Sequence, residues 1–215
     1  MNGGVINSFE GISGRVGVLG GSFDPVHTGH ALMAECAIGA RSLDKVIYIP
    51  ASRNPLKQSR PAATDSQRLS MLKLALKDTS ASLICTAELD RPGPSYTVDS
   101  LRQAKSECGA GTEIFLIFGS DQISTLHLWR EFHLLFELAK LVPITRHVEA
   151  RVVQPSSHLS EAQNRILLQN LLHIDCPASS SSIRAQLGKQ NLEAARAQLH
   201  PEVYEYIKRH GLYRA

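Results

Sequence analysis

Six short apolar runs alternate along this chain with segments of helical periodicity, and this alternation restricts the possible folds more than any other feature of the sequence. Several runs are apolar at nearly every position, as in "KVIYIP" and "IFLIFG", which is typical of parallel strands buried on both faces. The alternation therefore predicts a doubly wound α/β fold, with helices on both faces of a parallel sheet and a small helical part at the C-terminus. The predicted strands are residues 15–20, 45–50, 82–89, 114–119, 141–146 and 171–175.

The helical segments carry start and stop signals. Asp65 and Thr97 are predicted N-caps, because their side-chain oxygens can accept hydrogen bonds from the N–H groups of a first helical turn. Pro201 suits the first position of the last helix, and Gly211 suits its end. In a Rossmann-like sheet the ligand crevice lies beyond the carboxyl ends of the strands, and each polar motif below follows a predicted strand. The predicted helices are residues 30–39, 65–78, 97–107, 128–140, 182–189, 191–199 and 201–210.

Bulk properties narrow the class of protein. The 215 residues suit one domain, predicted over residues 15–215, and residues 1–14 are rich in Gly, Ser and Asn and are predicted to be a flexible extension. A net charge of +3 without dense Lys or Arg runs argues against a nucleic-acid partner. No apolar run reaches the length of a bilayer span, residues 1–14 lack the pattern of a secretory signal, and the four cysteines form no C-x-x-C pair. We expect a cytoplasmic protein without a membrane partner, and a homo-oligomer is left open.

The most informative stretch is "GVLGGSFDPVHTGH", residues 17–30. Gly20 and Gly21 let the chain turn tightly at a strand end and approach a ligand without an intervening Cβ. His27 and His30 follow at the entry of a helix, whose N-terminus attracts anions. A metal site would need a third ligand, and none is evident nearby, so we predict no metal held by the protein. The simpler alternative is that this stretch is a plain turn whose two histidines are structural. Because the strand, the glycine pair and the helix start occur together, phosphate binding is favoured over that alternative.

Four later segments place polar groups after predicted strands. "YIPASRNPLK" (48–57) offers Lys57, and "ELDRPGPSYTVDSL" (88–101) offers a helix start at Thr97. Residues 116–146 offer Asp121 and the single tryptophan, Trp129. "ASSSSIRAQL" (178–187) joins several hydroxyl groups to Arg184. Four of these groups also have an ordinary structural reading. Lys57 could be a solvated lysine, Thr97 an N-cap, Trp129 a core tryptophan and the serine run a linker.

Together the five segments resemble the motifs of the HxGH nucleotidyltransferases, specifically the bacterial nicotinate mononucleotide adenylyltransferases. The first is similar to the family's G-G-[ST]-F-D-P-[IV]-H-x-G-H, the third to E-x-x-R-x-G-x-S-Y-T-x-D-T-L and the fifth to I-S-S-T-x-I-R. The second segment departs from the family's P-P-H-K, because Asn54 and Leu56 replace its first proline and its histidine. After Arg146, His147 and Val148 replace a Pro-Gly pair, so the loop that follows is expected to differ.

This resemblance implies a role for each segment. The implied catalytic residues are His27, His30, Lys57 and Arg184, with His30 stabilising the pentacovalent transition state. Thr97 would receive the pyridine carboxylate of nicotinate mononucleotide, and Trp129 would stack on its ring. The implied ATP-binding residues are Gly20, Gly21, Ser22, Phe23, His27, His30, Gly119, Asp121, Ser180, Ser181 and Arg184. The implied contacts to nicotinate mononucleotide are Ser52, Lys57, Tyr96, Thr97, Trp129 and Arg146.

The reaction implied is the joining of ATP and nicotinate mononucleotide to give deamido-NAD and pyrophosphate, a step of NAD biosynthesis, by direct in-line attack on the α-phosphate of ATP. Such a reaction needs positioning and charge stabilisation rather than an activated nucleophile, and Mg²⁺ would arrive with ATP. Two alternatives stay open at this point: another HxGH adenylyltransferase, such as the phosphopantetheine type, and a nucleotide-binding module without turnover. The preference for nicotinate over nicotinamide mononucleotide is also open.

Overall fold

A single parallel sheet organises the chain in the computed structural model, which describes residues 4–57, 59–146 and 153–214. The strands are β1 (Val5–Ile6), β2 (Arg15–Gly21), β3 (Lys45–Pro50), β4 (Ser82–Cys85), β5 (Glu113–Gly119), β6 (Lys140–Thr145) and β7 (Leu172–His173). They lie in the order β1-β4-β3-β2-β5-β6-β7, and every neighbouring pair is parallel. The predicted doubly wound, Rossmann-like fold is confirmed.

Side chains of the central strands point alternately into two apolar layers, one on each face of the sheet. In β3, Val46 and Tyr48 belong to the first layer, whereas Ile47 and Ile49 belong to the second. All four are almost completely buried. Burial on both faces explains why this run is apolar at consecutive positions rather than at every second one.

Helices cover both layers. Those on the first layer are α1 (Thr28–Arg41), α2 (Asp65–Leu76), α7 (Ser180–Gly188), α8 (Leu192–Arg196) and α9 (Pro201–Arg209). Those on the second layer are α3 (Ala87–Asp90), α4 (Thr97–Glu107), α5 (Phe132–Leu138) and α6 (Glu161–Gln169). The predicted C-terminal helical part is therefore present, and Ile183 and Val203 join it to the first layer. Within the described ranges, no helix has both the length and the apolar character that a membrane span requires.

Residues 4–14 belong to the fold, so the prediction of a flexible extension over residues 1–14 is wrong for the described part of that segment. β1 pairs with β4, with Val5 opposite Ile84. Phe9 is 0% exposed within the second layer, and its N–H donates to the Glu107 carboxylate at 2.8 Å. The Gly and Ser content of the segment indicates mobility, but one buried aromatic ring and two ladder residues hold it against the sheet.

Two predicted helix caps are displaced by one residue. Thr64, not Asp65, caps α2, since its Oγ1 accepts from the N–H of Gln67 at 3.3 Å. Asp65 is instead the first helical residue, where its carboxylate pairs with Arg68 at 2.6 Å. At α4 the N-cap is Tyr96, and no side chain caps this helix. Thr97 therefore contributes its backbone N–H to an uncapped first turn.

Several predicted elements are shorter than their sequence patterns indicate, among them the strand predicted over residues 171–175, which is reduced to Leu172–His173. The strand predicted over residues 82–89 ends at Cys85, because Thr86 begins the turn into α3. The helix predicted over residues 128–140 is broken at Glu131, which adopts a left-handed conformation with φ +50°. A 3₁₀ helix (Ser120–Leu128) precedes this break and α5 follows it. The break turns Trp129 away from the register of α5.

The strand order fixes where a ligand can bind. From the centre of the sheet, the chain proceeds through β2, β3 and β4 to one side and through β5, β6 and β7 to the other. The order of the strands therefore reverses between β2 and β5, and the loops after these two strands diverge. A crevice forms at such a switch point, beyond the carboxyl ends of the strands.

Candidate active site

The crevice between the carboxyl ends of β2 and β5 opens into a cavity of about 630 Å³, within the range of small-molecule sites. Its walls contain every site residue predicted from the sequence except Ser52. The lining residues that were predicted are Gly20, Gly21, Ser22, Phe23, His27, His30, Lys57, Tyr96, Thr97, Gly119, Asp121, Trp129, Arg146, Ser180, Ser181 and Arg184. Residues as far apart in sequence as Gly20 and Arg184 therefore share one cavity.

Two histidines lie at the N-terminus of α1, with ring centroids 3.8 Å apart. The backbone N–H of His27 donates to Nδ1 of His30 at 3.2 Å. Because Nδ1 accepts this bond, the proton of a neutral His30 ring resides on Nε2, which becomes a hydrogen-bond donor. Gly29 is required between them, since a Cβ there would lie only 3.0 Å from the His27 ring. The H-x-G-H spacing thus packs both rings against one helix turn.

Both rings are held in their neutral form. Burial, assisted by the positive charge of Arg146, lowers the pKa of His27 to about 3. Burial also lowers the pKa of His30 well below its ordinary value, with further contributions from His27 and nearby cations. Nδ1 of His27 is buried without a hydrogen-bond partner in the described part of the chain. A buried polar atom of this kind indicates a partner outside the protein, either a ligand or water.

We expect these two histidines to make the protein sensitive to acid. Both have a lower pKa folded than unfolded, so the unfolded chain binds more protons below about pH 6.5. The free energy of unfolding should then fall as the pH decreases, with a contribution from His27 of up to about 1.4 kcal/mol per pH unit down to about pH 3 and a contribution of the same sign from His30. Urea denaturation at about pH 7 and about pH 5 measures this slope. His27→Gln should reduce the slope, whereas the exposed His133→Gln should not; equal slopes in the two variants would contradict the assignment.

Phe23 forms the floor below the histidines. It is 1% exposed and adopts φ +48°, a left-handed conformation that is strained for a bulky residue. Its ring contacts His30 edge-on, with centroids 4.9 Å apart. A Cβ on Gly21 would lie 3.2 Å from the same ring. Gly21 therefore leaves room for the aromatic ring that supports His30.

Lys57 is brought to the cavity by the loop between β3 and α2. Its Nζ lies 3.4 Å from Oγ of Ser22, on the turn that follows β2. Asn54 shapes this loop, because its Oδ1 accepts from the N–H of Leu56 at 2.9 Å and its backbone carbonyl accepts from the N–H of Lys57 at 3.1 Å. The side-chain bond is an Asx turn, which imitates a hydrogen-bonded backbone turn.

Arg184 lies on the first turns of α7, opposite the histidine motif. Its Nη1 donates to the backbone carbonyl of Asp24 at 2.6 Å, and its Nη2 lies 3.4 Å from Oγ of Ser181. The N-terminus of the same helix is joined to the motif by Ser180, whose hydroxyl donates to the carbonyl of Pro25 at 3.0 Å. A helix N-terminus, hydroxyl groups and a guanidinium therefore face the cavity together, a combination suited to phosphate groups.

An ion pair spans the ends of β5 and β6. Nη2 of Arg146 lies 3.6 Å from Oδ1 of Asp121, and its Nη1 donates to the carbonyl of Ala178 at 3.4 Å. Gly119 ends β5 shortly before Asp121. A Cβ on Gly119 would collide with the Asp121 carboxylate. The carboxylate is mostly exposed, so it can accept hydrogen bonds from a ligand's hydroxyl groups.

The far wall of the cavity is aromatic. Tyr96 and Thr97 begin α4, and Trp129 lies across from them, 6.1 Å from the ring of Phe118. Nε1 of Trp129 is buried without a hydrogen-bond partner in the described ranges. Arg130 stacks over the Tyr96 ring at 4.7 Å. This wall therefore offers flat apolar surfaces, an unused donor and the uncapped N-terminus of a helix.

Ser52 is held outside the cavity wall. Its N–H donates to Oγ of Ser95 at 3.0 Å, and its hydroxyl lies 3.5 Å from Asp65. These contacts fix the loop after β3 against the turn that precedes α4. Ser52 therefore connects two loops and does not line the cavity.

Two buried carboxylates in the cavity lining, Asp24 and Glu88, were not singled out from the sequence. Asp24 is 4% exposed and Glu88 is 7% exposed. Burial raises the pKa of Glu88, which accepts from the hydroxyl of Ser100 at 2.6 Å. Asp24 lies within the first quoted motif and Glu88 begins the third. Their membership of these motifs was the sequence signal that could have identified them as site residues.

Similarity to known proteins agrees with this geometry. A family model described as cytidylyltransferase-like matches residues 18–186. The probable nicotinate-nucleotide adenylyltransferase of Roseiflexus castenholzii is 38% identical over 205 residues, which are 94% of this chain and 99% of the relative. That of Thermomicrobium roseum is 36% identical over 201 residues, covering 93% and 92% of the two chains. This chain belongs to the nicotinate-nucleotide adenylyltransferase family.

Solved structures support the fold of this family member. The Plasmodium falciparum nicotinic acid mononucleotide adenylyltransferase complexed with NaAD superposes with a TM-score of 0.72. The two chains are 19% identical, and the match covers 93% of this chain and 97% of the other. The fold is thus shared over almost the whole chain, and the family resemblance stated from five motifs is confirmed by the two sequence relatives.

The departures from the nicotinate-nucleotide adenylyltransferase motifs lie in two loops. In the first, the Asx turn of Asn54 keeps Lys57 beside Ser22, so the lysine reaches the cavity without the family's first proline. Leu56, which replaces the family's histidine, lines the mouth of the cavity and is 46% exposed. The second departure, His147 and Val148, lies outside the described residues.

Proposed function

We propose that this family member transfers the adenylyl group of ATP to nicotinate mononucleotide, with deamido-NAD and pyrophosphate as the products. One observation carries the proposal. One cavity has both a cationic and imidazole-rich side, built by His27, His30, Lys57 and Arg184, and an aromatic side, built by Tyr96 and Trp129. The first side suits a triphosphate, and the second suits a pyridine ring.

In the proposed mechanism the 5′-phosphate oxygen of the mononucleotide attacks the α-phosphorus of ATP. The new phosphorus–oxygen bond forms as the bond to the bridging oxygen of pyrophosphate breaks, with attacking and leaving oxygens in line. His30 donates from Nε2 to the α-phosphate, where charge develops. Lys57 and Arg184 hold the phosphates that leave, and Asp121 holds a ribose hydroxyl. Since each group positions or stabilises charge, no covalent enzyme intermediate is needed.

Mg²⁺ is proposed to enter with ATP. Among the described residues, no three His, Cys, Asp or Glu side chains form a metal-ligand group. The buried Asp24 carboxylate already accepts from the N–H groups of Ala62 and Ala63 at 2.7 and 3.0 Å. These residues fit an ion coordinated mainly by phosphate oxygens and water. Such an ion neutralises phosphate charge.

The cytoplasmic location of the protein stays a prediction.

The proposed nicotinate subsite combines the uncapped N-terminus of α4 with Trp129. The N–H groups of a first helical turn, such as that of Thr97, can receive a carboxylate, whereas an uncharged carboxamide gains less from the helix dipole. We therefore propose that the acid form of the mononucleotide is the better substrate.

The proposed function is tested by measuring pyrophosphate release with ATP and a panel of acceptors. Nicotinate mononucleotide should give the highest kcat/KM, nicotinamide mononucleotide a lower value, and phosphopantetheine none above background. ATP binding without pyrophosphate release from any acceptor would favour a nucleotide-binding module. Turnover with phosphopantetheine would favour a different adenylyltransferase.

We expect Trp129→Ala to weaken binding of the mononucleotide. Loss of stacking on a heterocyclic ring costs about 1–3 kcal/mol, which corresponds to a KM for nicotinate mononucleotide raised about fivefold to about 150-fold. The KM for ATP should stay within about twofold, because the phosphate-binding side is untouched. Trp129→Phe, which keeps a ring, is the matched control and should lose less. Equal increases in both KM values would assign Trp129 to packing.

A further inference from the structure

The C-terminal segment reaches the phosphate-binding side of the cavity through one hydroxyl group. After α9 the chain turns at Gly211 and again at Tyr213, both with φ +62°. The Tyr213 hydroxyl then donates to Oδ1 of Asp24 at 2.7 Å, across 189 positions of sequence. Tyr213 does not line the cavity itself. Its contact with the site passes through Asp24.

Asp24 joins four parts of the molecule. Its Oδ1 also accepts from the N–H of Ala63 at 3.0 Å, and its Oδ2 accepts from the N–H of Ala62 at 2.7 Å. These two residues end the loop that carries Lys57. Oδ2 lies 3.9 Å from Nη1 of Arg184. The carboxylate therefore connects the histidine motif, the lysine loop, α7 and the C-terminal segment.

Arg184 depends on Asp24 for its orientation. The same Nη1 donates to the backbone carbonyl of Asp24 at 2.6 Å, so one residue contacts the guanidinium through both its main chain and its side chain. The Asp24 side chain is only 5% exposed, and the Tyr213 hydroxyl adds a third hydrogen bond to its carboxylate beside the two from the lysine loop. Burial and the Asp24 charge raise the pKa of Tyr213, which keeps the phenol protonated as a donor.

We propose that Tyr213 is a positioning residue for adenylyl transfer, acting through Asp24 to hold the Arg184 guanidinium toward the phosphates of ATP. The inference rests on the proposed function, since it assigns Arg184 to the triphosphate. Without the hydroxyl, Asp24 keeps its two backbone donors but loses the third hydrogen bond to its carboxylate, which is then less restrained. Arg184 then samples orientations that do not face the phosphates. The ring of Tyr213 packs on the first layer and supplies the structural part of its role.

The test compares Tyr213→Phe with Tyr206→Phe. The Tyr206 hydroxyl makes no side-chain hydrogen bond within the described part of the chain, and its ring lies on α9 beside His210. Tyr213→Phe should lower kcat/KM for ATP about tenfold and leave the KM for nicotinate mononucleotide unchanged. Tyr206→Phe should change neither. A lowered melting temperature for Tyr213→Phe with unchanged kinetics would overturn the proposal.

A double-mutant cycle separates positioning from general stability. In an Arg184→Gln background, measured by single turnover at high enzyme concentration, Tyr213→Phe should change the rate less than twofold, because the group that it positions is gone. An undiminished tenfold loss in that background would overturn the proposal. Asp24→Asn keeps the side-chain volume and should reproduce the ATP defect of Tyr213→Phe; normal ATP kinetics would overturn the route through Asp24.

Failure of the proposed function is recognised separately. If the unaltered protein releases no pyrophosphate with nicotinate mononucleotide, the function is wrong. Calorimetric titration with Mg-ATP then still tests Tyr213, because its loss should weaken ATP binding while Tyr206→Phe leaves binding unchanged. Equal ATP affinities for the two variants would overturn the positioning role even if the protein were a different nucleotidyltransferase.

Discussion

His30→Ala is expected to keep the fold and to lower kcat by about two to three orders of magnitude, the usual cost of removing one donor that stabilises transition-state charge. Nδ1 of His30 is occupied by the N–H of His27, so Nε2 is the donor left for the α-phosphate. Because the ring is neutral at physiological pH, its effect comes from this directed N–H rather than from a positive charge. Alanine suits the first turn of α1, so folding should survive.

Amide substitutions sharpen the test of His30. The Nε2 amide of His30→Gln lies at nearly the same distance from the backbone as imidazole Nε2, whereas the amide of His30→Asn lies near the position of Nδ1. We expect His30→Gln to recover part of the lost kcat and His30→Asn to recover little. The exposed His133→Ala is the matched control. Full turnover in His30→Ala, or equal rates for the two amide variants, would refute donation from Nε2.

The central part of the fold could be predicted because its causes are local. The apolar run of β3 ends at Pro50, and both predicted bounds agree with the structure. Likewise α9 begins at Pro201 and stops before Gly211, as the sequence signals indicate. The site followed from the same reasoning, since motifs placed after parallel strands must meet at one edge of the sheet.

What could not be predicted depends on contacts distant in sequence. Phe9 is buried only because Glu107 and the second layer are there to receive it. Glu131 breaks a continuous amphipathic pattern while its carboxylate pairs with Arg102, on α4. The link from Tyr213 to Asp24 spans 189 positions. Neither hydrophobic periodicity nor a helix-cap signal encodes such pairings. The sequence pattern therefore places these residues in an element or a loop from local composition alone.

Arg184→Gln is expected to lower kcat/KM for ATP about a hundredfold, which is about 2.7 kcal/mol of transition-state stabilisation. The planar guanidinium can give two parallel hydrogen bonds to phosphate oxygens, and it lies beside the N-terminus of α7, which adds to the attraction. Glutamine keeps a donor but loses the charge and the fork. Arg184→Lys restores the charge alone and should recover only part of the rate.

The pattern of losses distinguishes phosphate binding from folding. Pyrophosphate, the product that carries the β- and γ-phosphates, should inhibit Arg184→Gln more weakly than the unaltered protein, while AMP should inhibit both equally. Arg165→Gln on the exposed face of α6 is the matched control and should change none of these constants. Weaker inhibition by AMP but not by pyrophosphate would place Arg184 at the α-phosphate instead. In that case Arg184 and His30 would act on the same group, and their substitutions would no longer be additive.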